Sequence, residues 1–270
     1  MPSADDSAPP SSRSFLICAT PRSGSTLLCE LLAQTGVAGK PNELLLLWEE
    51  HKDKEDPVFW RLCAQATLAR GRSDNGVSGI KVMANSFRHG MQWLRRAPEV
   101  RELSDWQVAV RAFENPSAIR IQRRDRVRQA VSLFIANQTK VYHVAEQGHE
   151  RNELLGRSLQ RGSAAEQAGQ RELSFHFDGI DSILRSLEAH ERYWDETLAN
   201  CEQPVLELIY EDFVQNQQRD IERILDHLGI AWPEGLRLES HMRKMSNERN
   251  ERFVAEYRRE RERRGDGTTS

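Results

Sequence analysis

Residues 15–26 read FLICATPRSGST, and no other stretch limits the possible folds so strongly. An apolar run of strand character enters a turn of proline, arginine, glycine and small hydroxyl residues. The turn then opens into the helical pattern of residues 27–34. Strand, tight loop and helix N-terminus therefore follow one another directly. Unpaired backbone N–H groups in such a turn, with the positive end of the helix dipole, favour a bound phosphate or sulfate. Gly24 lets the backbone approach an anion closely, Ser23, Ser25 and Thr26 offer hydroxyl donors, and Arg22 offers a charged fork. The loop is expected to be a phosphate cradle.

The 270 residues suffice for one large α/β domain with a buried core. A net charge of −3 gives no global reason to expect nucleic acid or a membrane surface as partner. Cys18, Cys29, Cys63 and Cys201 have neither metal-like nor paired spacing, so they read as buried thiols in a reducing compartment. Residues 1–13 are polar and have the composition of a disordered leader, not of a signal peptide. No apolar run reaches the roughly 18 residues that span a bilayer. The expectation is a cytoplasmic protein without a transmembrane segment. It comprises a single domain over 14–264, with a polar, partly helical insertion at 139–174 and a flexible tail at 265–270.

Along the chain, residues 44–50 and 57–70 read as helices, and 76–83 as a strand with Lys81 near its end. Residues at the carboxyl ends of parallel strands face the ligand crevice, which makes Lys81 a candidate site residue. Residues 87–102 form one or two helices interrupted at Pro98, and 105–113 fit helix or strand equally. A strand at 116–122 runs into a helix over 123–138, where Val127, Ala130, Val131, Phe134 and Ile135 make one apolar face. Arg124, Arg128 and Ser132 line the other side. Arg123, Arg124 and Arg126 crowd this strand-to-helix junction, where the dipole disfavours cations, and a bound phosphate would resolve the conflict. A helix over 178–200, a strand over 204–210 and a helix stopped by Gly229 follow. The Arg- and Glu-rich tail, 241–264, reads as a solvated helix with Phe253 and Tyr257 one turn apart. The fold class is α/β, a central parallel sheet flanked by helices with a P-loop-like nucleotide cradle.

A nucleoside-triphosphate loop of the form G-x-x-x-x-G-K-[ST] needs a lysine before its hydroxyl residue. Here Ser25 stands in that place, the leading glycine is missing, and no apolar strand ends in a magnesium-holding acid. ATP hydrolysis is disfavoured while the phosphate-binding geometry survives. Two separate anion sites, at the cradle and at the Arg123 junction, suit a donor with two phosphate groups such as 3′-phosphoadenosine 5′-phosphosulfate (PAPS).

The segment ATPRSGSTLLCELLAQTGVAGKPNE, residues 19–43, resembles the 5′-phosphosulfate loop and following helix of sulfotransferases, above all the bacterial trehalose 2-sulfotransferase family. There Q-R-S-G-S-T is followed by L-L-x-E and then T-G-V-A-G-x-P-x-E. GIKVM at 79–83 and RRDRVRQAVSLF at 123–134 resemble family segments in the same order. The resemblance implies that Arg22, Ser23, Gly24, Ser25 and Thr26 hold the 5′-phosphosulfate of PAPS and that Arg123 and Ser132 take the 3′-phosphate. It makes Glu43 the general base, places Lys81 near the bridging oxygen and lets Arg249 close over the nucleotide. No metal is required, and a homodimer is implied. The sequence departs from the family pattern at Pro21, in place of Gln, and at Lys40, in place of an acidic residue. These changes, with the apolar LLLLWEE after Glu43, leave the acceptor open among a carbohydrate, a glycolipid and another small alcohol. The alternatives are a P-loop-type small-molecule kinase and a non-catalytic nucleotide-binding module.

Overall fold

The computed structural model describes residues 13–140, 143–144, 159–160, 173–239 and 248–265. Strand β1 (Ser14–Ala19) is buried at every position. It pairs in parallel with β2 (Ser78–Met83) on one side and β3 (Ser117–Gln122) on the other, and β6 (Leu206–Ile209) completes the order β2-β1-β3-β6. The chain leaves β1 for β2 on one flank and later returns to the other flank at β3. The crevice above the carboxyl ends of β1 and β3 is therefore the switch point at which open parallel sheets bind ligands.

Strand alternation divides the core between the two faces of the sheet. Leu16, Cys18, Ile80, Val82 and Ala118 face α2 (Pro57–Arg70), α3 (Ala84–Leu94), α4 (Asp105–Ala112) and Trp194 of α6 (Phe177–Leu198). Phe15, Ile17, Ala19, Ile119, Ile121 and Leu208 face α1 (Ser25–Gln34) and α8 (Gln217–His227), with Phe213 from the single-turn helix α7 (Tyr210–Phe213). A third cluster joins α5 (Arg126–Thr139), α6 and α9 (Glu248–Arg263).

Several local expectations change. The stretch left between helix and strand is α4, fixed by a capping box in which Ser104 and Gln107 exchange side-chain and backbone hydrogen bonds. The run after Glu43 is a 3-10 helix, Leu44–His51. Its Leu44, Leu45 and Trp48 are buried, while Leu46 and Leu47 are exposed. Helix α5 begins at Arg126, so Arg123 and Arg124 precede it. The tail helix is packed and not merely solvated: Phe253, Val254 and Tyr257 of α9 are buried, and Tyr257 stacks on Phe177 with ring centroids 4.9 Å apart. Each such side chain contributes roughly 1.5–3 kcal/mol. The half-exposed Arg258–Asp125 ion pair contributes about 0–1 kcal/mol, so apolar packing holds the helix. Of the polar stretch 139–174, a parallel pair β4 (His143–Val144) and β5 (Leu159–Gln160) is described, and its expected partial helix lies outside the described residues.

Candidate functional site

The cradle follows β1 at the switch point. Ser23 N–H donates to the Thr20 carbonyl at 3.2 Å, closing a turn in which Arg22 has φ 65° and Gly24 φ 89°. Gly24 is the N-cap of α1, and no side chain caps the first turn. The need for glycine is sterically sharper than an approach to an anion requires. A Cβ there would lie 2.2 Å from Cδ2 of Tyr210, whose ring covers the turn from the end of β6. Ser23 is fully buried with its Oγ unpartnered, and the Arg123 Nε is likewise buried without a hydrogen bond, the nearest carboxylate oxygen being that of Glu211 at 3.8 Å. The orphaned Ser23 hydroxyl beside an uncapped helix start fits an anion with several acceptor oxygens.

On the β2 side, Lys81 is 2% exposed. Its Nζ lies 2.6 Å from Oε1 of Glu43 and donates to Oγ1 of Thr26 at 3.3 Å. Strand register sets Lys81 opposite Ile17, below the cradle, and its long stem reaches up along α1. Asn42 anchors the same corner: its carbonyl accepts from Lys81 N–H at 3.0 Å and its Oδ1 from Glu43 N–H at 2.8 Å. One chain of contacts thus joins a carboxylate, an ammonium and the first turn of the cradle helix.

On the β3 side, Arg22 Nε donates to Ser132 Oγ at 3.0 Å and Arg123 Nη1 to the Arg22 carbonyl at 3.4 Å. Arg123 also lies over the Tyr210 ring, 5.0 Å from its centroid. Burial, reinforced by Arg123, pushes the Arg22 guanidinium down to about 10, and burial lowers Arg123 too. Two desolvated cations side by side attract an anion.

The phosphate expected at the α5 junction meets a competitor from the chain itself. The N–H groups of Arg124 and Asp125 donate to the Glu211 carboxylate at 2.9 and 3.2 Å, and Arg124 turns outward to Asp212 at 2.8 Å. The crowding of arginines is relieved by these acids, leaving the side chains of Arg123 and Ser132, and not the helix start, turned toward the cradle. Arg249 is exposed in the first turn of α9. Pro21 offers its carbonyl to Gln129 Nε2 at 2.7 Å, and Lys40 is exposed. Sequence reasoning missed Tyr210, Gln129 and Glu191. Gln129 had one visible signal, its place three residues before Ser132 on the same helix face. Of the four cysteines expected to be buried, Cys18 and Cys29 are, whereas Cys63 and Cys201 are partly exposed; desolvation raises each thiol, Cys29 to about 12.

The Stf0 sulphotransferase profile matches residues 14–260. The trehalose 2-sulfotransferase of Mycobacterium tuberculosis (Erdman strain) is 28% identical over 279 residues, an alignment covering 92% of this chain and 95% of that protein. The trehalose 2-sulfotransferase of Mycolicibacterium smegmatis is 29% identical over 280 residues, covering 93% and 96% respectively.

Proposed function

The chain belongs to the Stf0 sulphotransferase family, and from that premise we propose that it moves a sulfuryl group from PAPS to a hydroxyl of a carbohydrate or glycolipid, with Glu43 as general base. Family membership makes it a sulfotransferase and sets aside the kinase and the non-catalytic module. The observation that carries the reading is the contact chain Glu43–Lys81–Thr26, which ties a carboxylate to an anion cradle through one buried cation.

In this reading Arg22, Ser23, Gly24, Ser25 and Thr26 hold the 5′-phosphosulfate end, with the unpartnered Ser23 hydroxyl and uncapped α1 N–H groups as donors. Arg123 and Ser132 hold the 3′-phosphate, and Arg249 closes over the nucleotide. When bound, the donor supplies an electrophilic sulfur and a phosphate that leaves with the electron pair of the broken S–O bond. Glu43 accepts the proton of the attacking hydroxyl, a task that contributes roughly 10²- to 10⁴-fold. Lys81 and Arg22 stabilise the charge that gathers on the departing oxygen. The remaining acceleration comes from placing the hydroxyl in line with the sulfur. No residue role assigned here calls for a metal.

Relatives that are trehalose 2-sulfotransferases support a sugar acceptor. Pro21 and Lys40 support one other than trehalose, and exposed Leu46 and Leu47, directly after Glu43, support an apolar portion such as that of a glycolipid. A homodimer in the cytoplasm completes the proposal. The test is transfer of labelled sulfate from PAPS to trehalose, other sugars and glycolipids, with calorimetric binding of 3′-phosphoadenosine 5′-phosphate. Glu43→Gln should bind this nucleotide nearly as wild type while turnover drops about 10²- to 10⁴-fold. Undiminished turnover would remove Glu43 from the mechanism.

A further inference from the structure

The segment leading into the cradle is held from behind by side chains that do not belong to it. The Ala19 carbonyl accepts from Trp194 Nε1 at 2.9 Å. The Thr20 hydroxyl donates to Glu191 Oε1 at 2.8 Å and accepts from Gln129 Nε2 at 2.9 Å, and the same amide donates to the Pro21 carbonyl at 2.7 Å. The other Glu191 oxygen is fixed by Arg120 Nη2 at 2.9 Å, and Arg120 Nη1 reaches Asp195 at 2.6 Å. Gln129, Glu191 and Arg120 are 1%, 4% and 5% exposed, whereas the Arg22 they lead to is partly open.

From this we infer that Gln129 and Glu191, acting on the Thr20 hydroxyl and the Pro21 carbonyl, are positioning residues that set the cradle for the 5′ end of the donor. The need for such a brace follows from the turn itself. Arg22 lies at φ 65°, a left-handed conformation that a residue other than glycine holds only when its surroundings impose it. Ser23 N–H to Thr20 carbonyl is the turn's own closing bond, so the orientation of residue 20 fixes where the N–H groups of the following residues point. Gln129 makes both of its donor bonds to this one corner, and Glu191 meets the threonine hydroxyl with one carboxylate oxygen while a buried guanidinium holds the other. Gln129 is also three residues from Ser132, which holds Arg22. Helix α5 therefore grips positions 20, 21 and 22 from one face.

The inference rests on the proposed PAPS site, and its test keeps the two apart. Wild type, Gln129→Met, Thr20→Val and Thr20→Ser would be compared for calorimetric binding of 3′-phosphoadenosine 5′-phosphate, for the KM of PAPS and of the acceptor, and for thermal unfolding. Gln129→Met and Thr20→Val should each weaken nucleotide binding and raise the PAPS KM on the order of tenfold, the acceptor KM staying within about twofold. Thr20→Ser, which keeps the hydroxyl, should restore wild-type binding. The double variant should lose less than the sum, because the two side chains share a hydrogen bond. Nucleotide affinity equal to wild type in folded Gln129→Met or in Thr20→Val overturns the inference, even if the unfolding temperature falls. Should Gln129→Met fail to fold, the Val and Ser variants of Thr20 decide. A wild type that does not bind the nucleotide overturns the donor assignment itself and the inference with it.

Discussion

Lys81 is a buried charge, and a buried charge must be compensated. It sits at the fourth position of β2, where a strand of this sheet would otherwise carry an apolar side chain, and its ammonium is shared between Glu43 and Thr26. Glu43 keeps a partly exposed side chain, so it can be hydrated if its partner is removed. This asymmetry separates function from stability at one residue. Lys81→Met retains the stem that packs below α1 and removes only the cation. Its turnover should fall about 10²- to 10³-fold, the magnitude typical of losing one preorganised electrostatic donor. Unfolding in urea should show little loss of stability. A variant that turns over normally would place Lys81 among structural residues, and one that fails to fold would make the ion pair a requirement of the sheet.

Elements differ in how plainly their sequences announce them, and the differences have physical causes. The β1–cradle–α1 unit is legible because its signals are local: an apolar run, a turn of small residues and a helical repeat are adjacent in the chain. Helix α4 is not, since Trp106, Val108 and Val110 alternate as in a strand; the Ser104–Gln107 capping box settles the matter. Helix α9 was legible as a helix but not as part of the core. Phe253, Val254 and Tyr257 are few among arginines and glutamates, and the surfaces they meet belong to α5 and α6, far away in sequence. Tyr257 is anchored by its hydroxyl, which donates to Asp181 at 2.7 Å. If α9 is held by this apolar seam, Phe253→Ala should destabilise the protein by about 3–5 kcal/mol in urea unfolding. Removing the surface pair with Arg258→Ala should cost no more than about 1 kcal/mol. The opposite ranking would show that charge, not packing, seats the helix.

At the scale of the whole molecule, one buried ion pair links the sheet to the site. Arg120 projects from β3 toward α6, level with Cys18 of β1, and pairs with Glu191, which in turn accepts from Thr20 at the head of the cradle. None of this could be read from the sequence, because Arg120 lies between Ile119 and Ile121 in a buried strand and Glu191 and Asp195 are 71 and 75 residues away. The turn after β1, Glu43 and Lys81 each sit in or beside a short motif and so stand out as candidates, whereas Tyr210, Gln129 and Glu191 meet that turn only through tertiary contacts. Breaking a buried pair from one side leaves an uncompensated charge, whereas replacing both members with apolar side chains of similar size can be nearly neutral. Arg120→Met should therefore destabilise the protein by about 3–5 kcal/mol, and Arg120→Met combined with Glu191→Met should recover most of that loss in urea unfolding. The recovered protein would still lack the acceptor for the Thr20 hydroxyl, so its affinity for 3′-phosphoadenosine 5′-phosphate should remain on the order of tenfold below wild type. Stability restored without affinity would mean that the pair aligns the cradle and is not needed to hold the fold. A double variant as unstable as the single one would instead assign the pair to the core, with Asp195 and the surrounding packing unable to substitute for it.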